Sequence, residues 1–183
     1  DLVADPEQGA LGLRLIRSVS AALPATLRRT AEERLRVPLV EIYGMTETAG
    51  VITSQALDHQ DETVGRPVGV KVTIRDGEIV VQGPQVSPGY LMAAPHEGNF
   101  FGPGGFRTGD LGSIDSEGRL SITGRVKDLI NRGGEMVAPA EIEEAMRSLP
   151  WITDVAVYGV PHPVLGEEIA AAIVRSGGPE DVM

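Results

Sequence analysis

Three short stretches bring together side chains that could handle a nucleotide. Tyr43-Gly44-Met45-Thr46-Glu47 closes the apolar run Leu39–Tyr43 and sets a hydroxyl beside a carboxylate on a glycine-containing turn. Such a pair could bind a phosphate oxygen and its Mg²⁺ together, while Tyr43 offers a flat ring to a base. In Thr108-Gly109-Asp110 a single carboxylate could accept hydrogen bonds from both hydroxyls of a ribose. Gly124-Arg125-Val126-Lys127-Asp128 runs into Asn131-Arg132-Gly133-Gly134-Glu135. Arg125 and Lys127, two apart on an extended segment, would face the same way and could meet an anion, and Gly133 and Gly134 would let a backbone or a thin ligand pass closely. Taken singly, each stretch has a plainer equivalent: a strand entering a polar loop, a Gly-Asp turn in the connection between strands, and a solvated charge cluster.

The elements that would position these groups change texture along the chain. Leu11, Leu13 and Leu15 alternate with other residues as a strand would, Pro24 suits the first turn of a helix with Leu27, Ala31 and Leu35 on one face, and Leu39–Tyr43 reads as a second strand. Residues 1–61 are therefore an α/β portion of βαβ type, with the Gly44–Gly50 loop at a strand's carboxyl end, where ligands collect in open sheets. Residues 62–123 are β-rich. Val70, Val72 and Ile74 alternate, Asp76-Gly77 turns the chain, and Ile79 and Val81 alternate back. A second hairpin surrounds Ser116-Glu117-Gly118, and the region reads as a small β-barrel or folded sheet. Residues 124–183 are α+β. Pro139 opens a helix with Ile142, Ala145, Met146 and Leu149 on one face, and two strands, 155–160 and 169–174, flank a Pro-His-Pro loop.

Composition narrows the functional classes. Apolar residues make up 42 % of the 183, enough for a packed core. A net charge of −10 argues against nucleic acid, which favours a basic face, and no apolar run approaches the ~20 residues needed to span a bilayer, so neither partner is expected. There is no cysteine, hence no disulfide or thiolate site, which suits the cytoplasm. His59, His96 and His162 are scattered in loops without ligand spacing. Trp151 is expected to anchor packing, Glu141, Glu143 and Glu144 to form a solvated helix face, and 98–105 to be a mobile loop anchored by Phe100 and Phe101. The chain opens without methionine in ordinary globular pattern, as a cut or processed chain would.

YGMTE, GEIVVQGPQVSPGYL, FRTGDLG, GRVKDLINRGGEMVAPAEIE and GVPHPVLGEE occur in that order. The series resembles the adenylate-forming superfamily of acyl-CoA synthetases, aryl-acid ligases, peptide-synthetase adenylation domains and luciferase, from about Leu11 to Val174. The resemblance implies part of a large AMP-binding domain followed by the start of the small carboxy-terminal α+β domain. It implies ATP, AMP, Mg²⁺ and CoA as ligands and a small carboxylic acid as substrate. By position, Tyr43 and Gly44 would lie at the adenine, Thr46 at the α-phosphate and Glu47 on Mg²⁺. Asp110 would take the ribose hydroxyls and Arg125 the ribose or phosphate; Lys127 would sit at the interdomain hinge. Gly133, Gly134 and Glu135 would line the pantetheine channel.

Two family features have no counterpart: the Ser/Thr/Gly-rich phosphate loop and a late lysine, since none follows Lys127. The 183 residues are therefore expected to need an amino-terminal half of the same enzyme and, alone, to form no acyl-adenylate. Val19, where many relatives have glycine, either narrows the acyl pocket or packs inward; this segment with INRGGE looks like the oxalyl-CoA synthetase branch. CoA is the expected thiol. The alternatives are a carrier-protein pantetheine and a non-catalytic or split module that keeps the nucleotide half-site.

Overall fold

The computed structural model describes residues 12–58 except 22 and 24, 63–91, and 101–176 except 103. His59, His96, Phe100, Leu11 and Pro24 lie outside the described residues. The chain divides into two compact units, residues 1–108 with 112–122, and residues 109–111 with 123–183.

The first unit holds one sheet and most of the residues of a second. In one, β1 (Ile16–Ser18) runs parallel to β2 (Leu39–Tyr43) across α1 (Ala25–Leu35), and the order continues through β3 (Thr53–Ser54) to β4 (Arg66–Pro67). The βαβ expectation therefore holds with its first strand displaced: Leu13 and Leu15 are exposed, and pairing begins at Ile16, whose N–H donates to the Pro38 carbonyl at 2.9 Å. Helix α1 buries Ala31, but Leu27 faces solvent, so its inward stripe is narrower than the sequence spacing suggests.

β2 carries one charged residue inside an apolar run, and its environment is built to accept it. Glu41 pairs with Arg28 of α1, both side chains being about one-eighth exposed. The Glu41 carboxylate also accepts the Leu23 N–H at 3.3 Å, and its own N–H donates to Gln55 Oε1 at 2.6 Å. Gln55 Nε2 in turn donates to the Thr63 carbonyl at 2.5 Å. Helix, central strand and following loop are thus tied by one satisfied polar network.

The second sheet contains β5 (Lys71–Arg75), β6 (Glu78–Gln82), β7 (Phe101–Gly102), β8 (Gly105–Ile114) and β9 (Leu120–Arg125) in the order β5-β6-β8-β7, with β9 also on β8. Asp76 and Gly77, both at positive φ, make the two-residue turn that pairs Arg75 with Glu78. Ile79, Val81 and Leu120, essentially inaccessible, meet Tyr43 of β2 and Ile52, just before β3, in a shared core. One expectation is corrected: Thr108-Gly109-Asp110 lies within β8 rather than in a connection. The segment lacks apolar alternation, yet it is flanked by β6 and β9, and Thr108 Oγ1 donates to the Ile79 carbonyl at 2.9 Å. Glu78, nearly buried on β6, is paired by Arg107 Nε at 2.7 Å, and that bond raises the guanidinium pKa further above its usual value.

In the second unit, β10 (Ile130–Arg132), β11 (Glu135–Val137), β12 (Ile152–His162) and β13 (Gly166–Arg175) form a sheet of order β11-β10-β13-β12 beside α2 (Pro139–Arg147). Ile130, Ile152, Val155 and Val157 form its core, with Ile142, Met146 and Trp151 packed against it. Trp151 is thus the packing anchor expected. Ala145 and Leu149 remain exposed, and Glu143 is not simply solvated: it accepts the Val157 N–H at 2.9 Å and pairs with Arg147 at 3.2 Å. A helix face drawn from spacing alone cannot register that hydrogen bond to the neighbouring strand. No helix among the described residues is long and apolar enough to cross a membrane.

Truncating Arg28 to Ala strands the Glu41 carboxylate in a part-buried site. The first unit should lose about 3 kcal/mol in urea unfolding, while replacing both partners with apolar residues of similar size recovers most of the loss.

Candidate functional site

In the first unit the site is a turn held by close backbone approach. Gly44 lies so near the returning chain that a Cβ would sit 2.3 Å from the Gly50 carbonyl oxygen, which only glycine tolerates. The turn closes by hydrogen bonds from Gly50 N–H to the Met45 carbonyl at 2.9 Å and from Ile52 N–H to the Tyr43 carbonyl at 2.7 Å. Between them runs a 3₁₀ turn, Thr46–Thr48, followed by Ala49 in the left-handed region. Thr48 is fully buried. Its hydroxyl donates to the Met45 carbonyl at 3.0 Å and accepts the Met45 N–H at 3.3 Å. Thr46 and Glu47 are thereby displayed, Thr46 exposed and Glu47 half-buried. Tyr43, by contrast, is buried and packs in the shared core, so its ring is a fixed wall rather than a free surface.

Glu47 has two partners that spacing did not reveal. Its carbonyl accepts the Ser87 N–H at 2.7 Å, and its Oε1 accepts the Tyr90 hydroxyl at 2.5 Å. Tyr90 falls in the quoted GEIVVQGPQVSPGYL stretch, but more than forty residues of separation hide the pairing. The buried Thr48 was also missed, although a threonine three residues after Met45, in a turn led by glycine, is a recognisable local signal.

In the second unit Asp110 is buried and its Oδ1 receives Arg125 Nε at 2.8 Å, the guanidinium side chain being half-exposed. A buried carboxylate is costly unless paired, and Arg125 supplies that partner and orients Asp110. The sequence-predicted pair is therefore in direct contact. Lys127 stands exposed on a 3₁₀ turn, Val126–Asp128, between β9 and β10.

Gly133 and Gly134 make the turn between β10 and β11 at φ +63° and +95°. Their loop is latched to the segment after β12. Gly133 N–H donates to the Leu165 carbonyl at 2.8 Å, Asn131 N–H to Glu167 Oε2 at 2.8 Å, and Gly134 N–H to Asn131 Oδ1 at 2.9 Å. Arg132 Nε binds Glu168 Oε1 at 2.6 Å. This gives the GVPHPVLGEE stretch a task unread in the sequence, with Glu167 and Glu168 holding the glycine loop. His162 Nδ1 accepts the N–H groups of Val164 and Leu165 at 3.2 and 3.1 Å, which shapes that segment, and no cluster of three or more His, Asp or Glu side chains able to hold a metal ion occurs among the described residues. Val19 is exposed rather than packed inward.

The hydrogen bond from Arg132 holds the Glu168 carboxyl below its usual range and raises the arginine correspondingly. A carboxylate whose folded pKa is depressed stabilises the fold above its unfolded value, about 4.3, and that contribution is lost as pH falls through the folded value. Exchange protection of the Gly133 and Gly134 amides should therefore fall below about pH 4.3, and Glu168→Gln should lose most of that pH dependence.

Residues 2–91 match the AMP-binding enzyme family, and residues 141–183 match the AMP-binding enzyme C-terminal domain. A sulfoacetate–CoA ligase of Cupriavidus necator is 41 % identical over 189 residues, covering 94 % of this chain and 37 % of the relative. An oxalate–CoA ligase of Saccharomyces cerevisiae is 40 % identical over 183 residues, covering 91 % and 34 %. Among solved structures, ATP-bound MatB from Rhodopseudomonas palustris matches with a TM-score of 0.87 and 36 % identity, over 98 % of this chain and 40 % of that one. The chain thus spans little more than a third of the length of these relatives. Two matched segments in the family's order, on the family's fold, show that this chain belongs to the adenylate-forming AMP-binding enzymes and corresponds to their carboxy-terminal portion.

Proposed function

We propose that the chain is part of an ATP-dependent acid–CoA ligase. The observation that carries this reading is the buried Asp110 held by Arg125 at 2.8 Å, an oriented carboxylate of the kind that takes two ribose hydroxyls, on a chain whose relatives are named as CoA ligases. Thr46 and Glu47 on their rigid turn supply the groups for the α-phosphate and its cation. Tyr43 forms a wall for the adenine, and the latched Gly133–Gly134 loop offers a backbone a pantetheine arm can pass.

In the first half-reaction a carboxylate oxygen of the acid attacks the α-phosphorus of ATP. The P–O bond to pyrophosphate breaks, giving acyl-AMP. In the second, the CoA sulfur attacks the acyl carbonyl, the thiol proton departs and AMP leaves. Both steps depend on positioning and charge neutralisation more than on covalent help from the protein. Mg²⁺ fits the donors present. Such ions bind through one or two protein carboxylates plus phosphates and water, and Glu47 offers an oxygen, Oε2, that no hydrogen bond engages among the described residues. When bound, the ion would neutralise phosphate charge. Arg125 orients Asp110, and its half-exposed guanidinium would be available to the ribose beside that carboxylate.

The relatives named for oxalate and sulfoacetate support a small acid with a second charged group as substrate. In the full-length protein, exchange of labelled pyrophosphate into ATP should require added acid and should be faster with small dicarboxylates or sulfonated acids than with fatty acids. Exchange that ignores the acid, or its complete absence with every acid in a folded protein, would contradict the proposal.

A further inference from the structure

The Glu47 carboxylate is held by a side chain to which neither its motif nor the reaction assigns a role. Tyr90 donates its hydroxyl to Oε1 at 2.5 Å, the length of a charge-assisted O–H···O⁻ bond. The ring is almost half exposed, so core packing does not explain its place. It is nevertheless located from two sides. Its edge meets Phe101 with centroids 5.4 Å apart and planes at 83°, and Phe101 stacks at 4.8 Å on Phe106, which is buried. The preceding backbone is fixed by Ser87, whose N–H binds the Glu47 carbonyl at 2.7 Å and whose Oγ donates to the Gly89 carbonyl at 3.0 Å. Backbone and side chain of Glu47 are therefore both tied to the segment 87–90.

We propose that Tyr90 is a positioning residue for Glu47. Its hydroxyl occupies Oε1 and fixes the carboxylate rotamer so that Oε2 is directed to the nucleotide's divalent cation. The inference rests on Glu47 as the cation's ligand. A glutamate has three side-chain torsions, and a free one would have to be ordered each time the cation binds. Partners that orient a ligating carboxylate are commonly worth 10–100-fold in metal affinity. The Phe101 contact holds the Tyr90 ring in place, so the hydroxyl is presented to Glu47 without further ordering of the side chain.

Tyr90→Phe keeps the ring and removes the donor. The test is Mn²⁺ binding to the full-length protein with a non-hydrolysable ATP analogue, read from the free-Mn²⁺ paramagnetic resonance signal. Mn²⁺ should bind about tenfold more weakly in Tyr90→Phe. The Mg²⁺ concentration for half-maximal pyrophosphate exchange should rise in proportion, with the maximal rate recovered at high Mg²⁺. The thermal midpoint should be unchanged. A purely structural tyrosine would instead lower the midpoint and the maximal rate together, which overturns the proposal. Equal or tighter Mn²⁺ binding in Tyr90→Phe, with weakened binding in Glu47→Gln, also overturns it while leaving Glu47's role intact. If Glu47→Gln binds Mn²⁺ as the unmodified protein does, the underlying assignment of Glu47 fails, and this inference with it.

Discussion

The approach of Gly44 to Gly50 is the constraint from which the first unit's site follows. With no Cβ at Gly44, β2 can reverse within a few residues and pair at once with β3, so Ile52 returns into the core that also holds Tyr43. Thr48 fills the interior of the turn with a hydroxyl that serves the Met45 backbone in both directions. Everything polar that could meet a ligand is then forced outward, at Thr46 and Glu47. The hydroxyl and carboxylate are adjacent because the turn leaves them no other place.

A similar economy governs the second unit. Gly133 and Gly134 adopt positive φ, which alone would make a loose loop, but the loop is bonded through Asn131 and Arg132 to the two glutamates that open β13. Asp110 is treated in the same way: it is buried, which would be costly for a lone charge, and Arg125 holds it from the exposed side. In both cases the group expected to meet a ligand is rigid before the ligand arrives, which lowers the ordering cost of binding.

Much of this was legible in the sequence where a single physical signal dominates. Leu39–Tyr43 is a strand with the bounds its apolar run suggests, Asp76-Gly77 turns the hairpin, and Pro139 opens α2. The signal fails where pairing partners decide the outcome. β1 sits at Ile16–Ser18 because pairing with β2 selects it over the leucine alternation upstream. Thr108–Asp110 is a strand because neighbours flank it, not because its own residues favour one. The β10–β11 hairpin looks like loop in the sequence, and the half-exposed face of α2 looks apolar throughout. Among candidate site residues, Thr46, Glu47, Asp110 and Arg125 were proposed by type and order, and the structure brings Asp110 and Arg125 into contact. Tyr90, Glu167 and Glu168 were not, since their partners are 30 or more residues away and periodicity carries no information at that range.

The central claim is that Asp110 and its neighbours hold the ribose of an adenylate. Its most direct test is equilibrium binding of a stable acyl-adenylate mimic to the full-length protein, with Asp110→Ala compared under conditions where both are folded. The account predicts binding that the substitution weakens roughly 10–100-fold, the worth of hydrogen bonds to a charged group. Equal binding by the folded Asp110→Ala protein would contradict it.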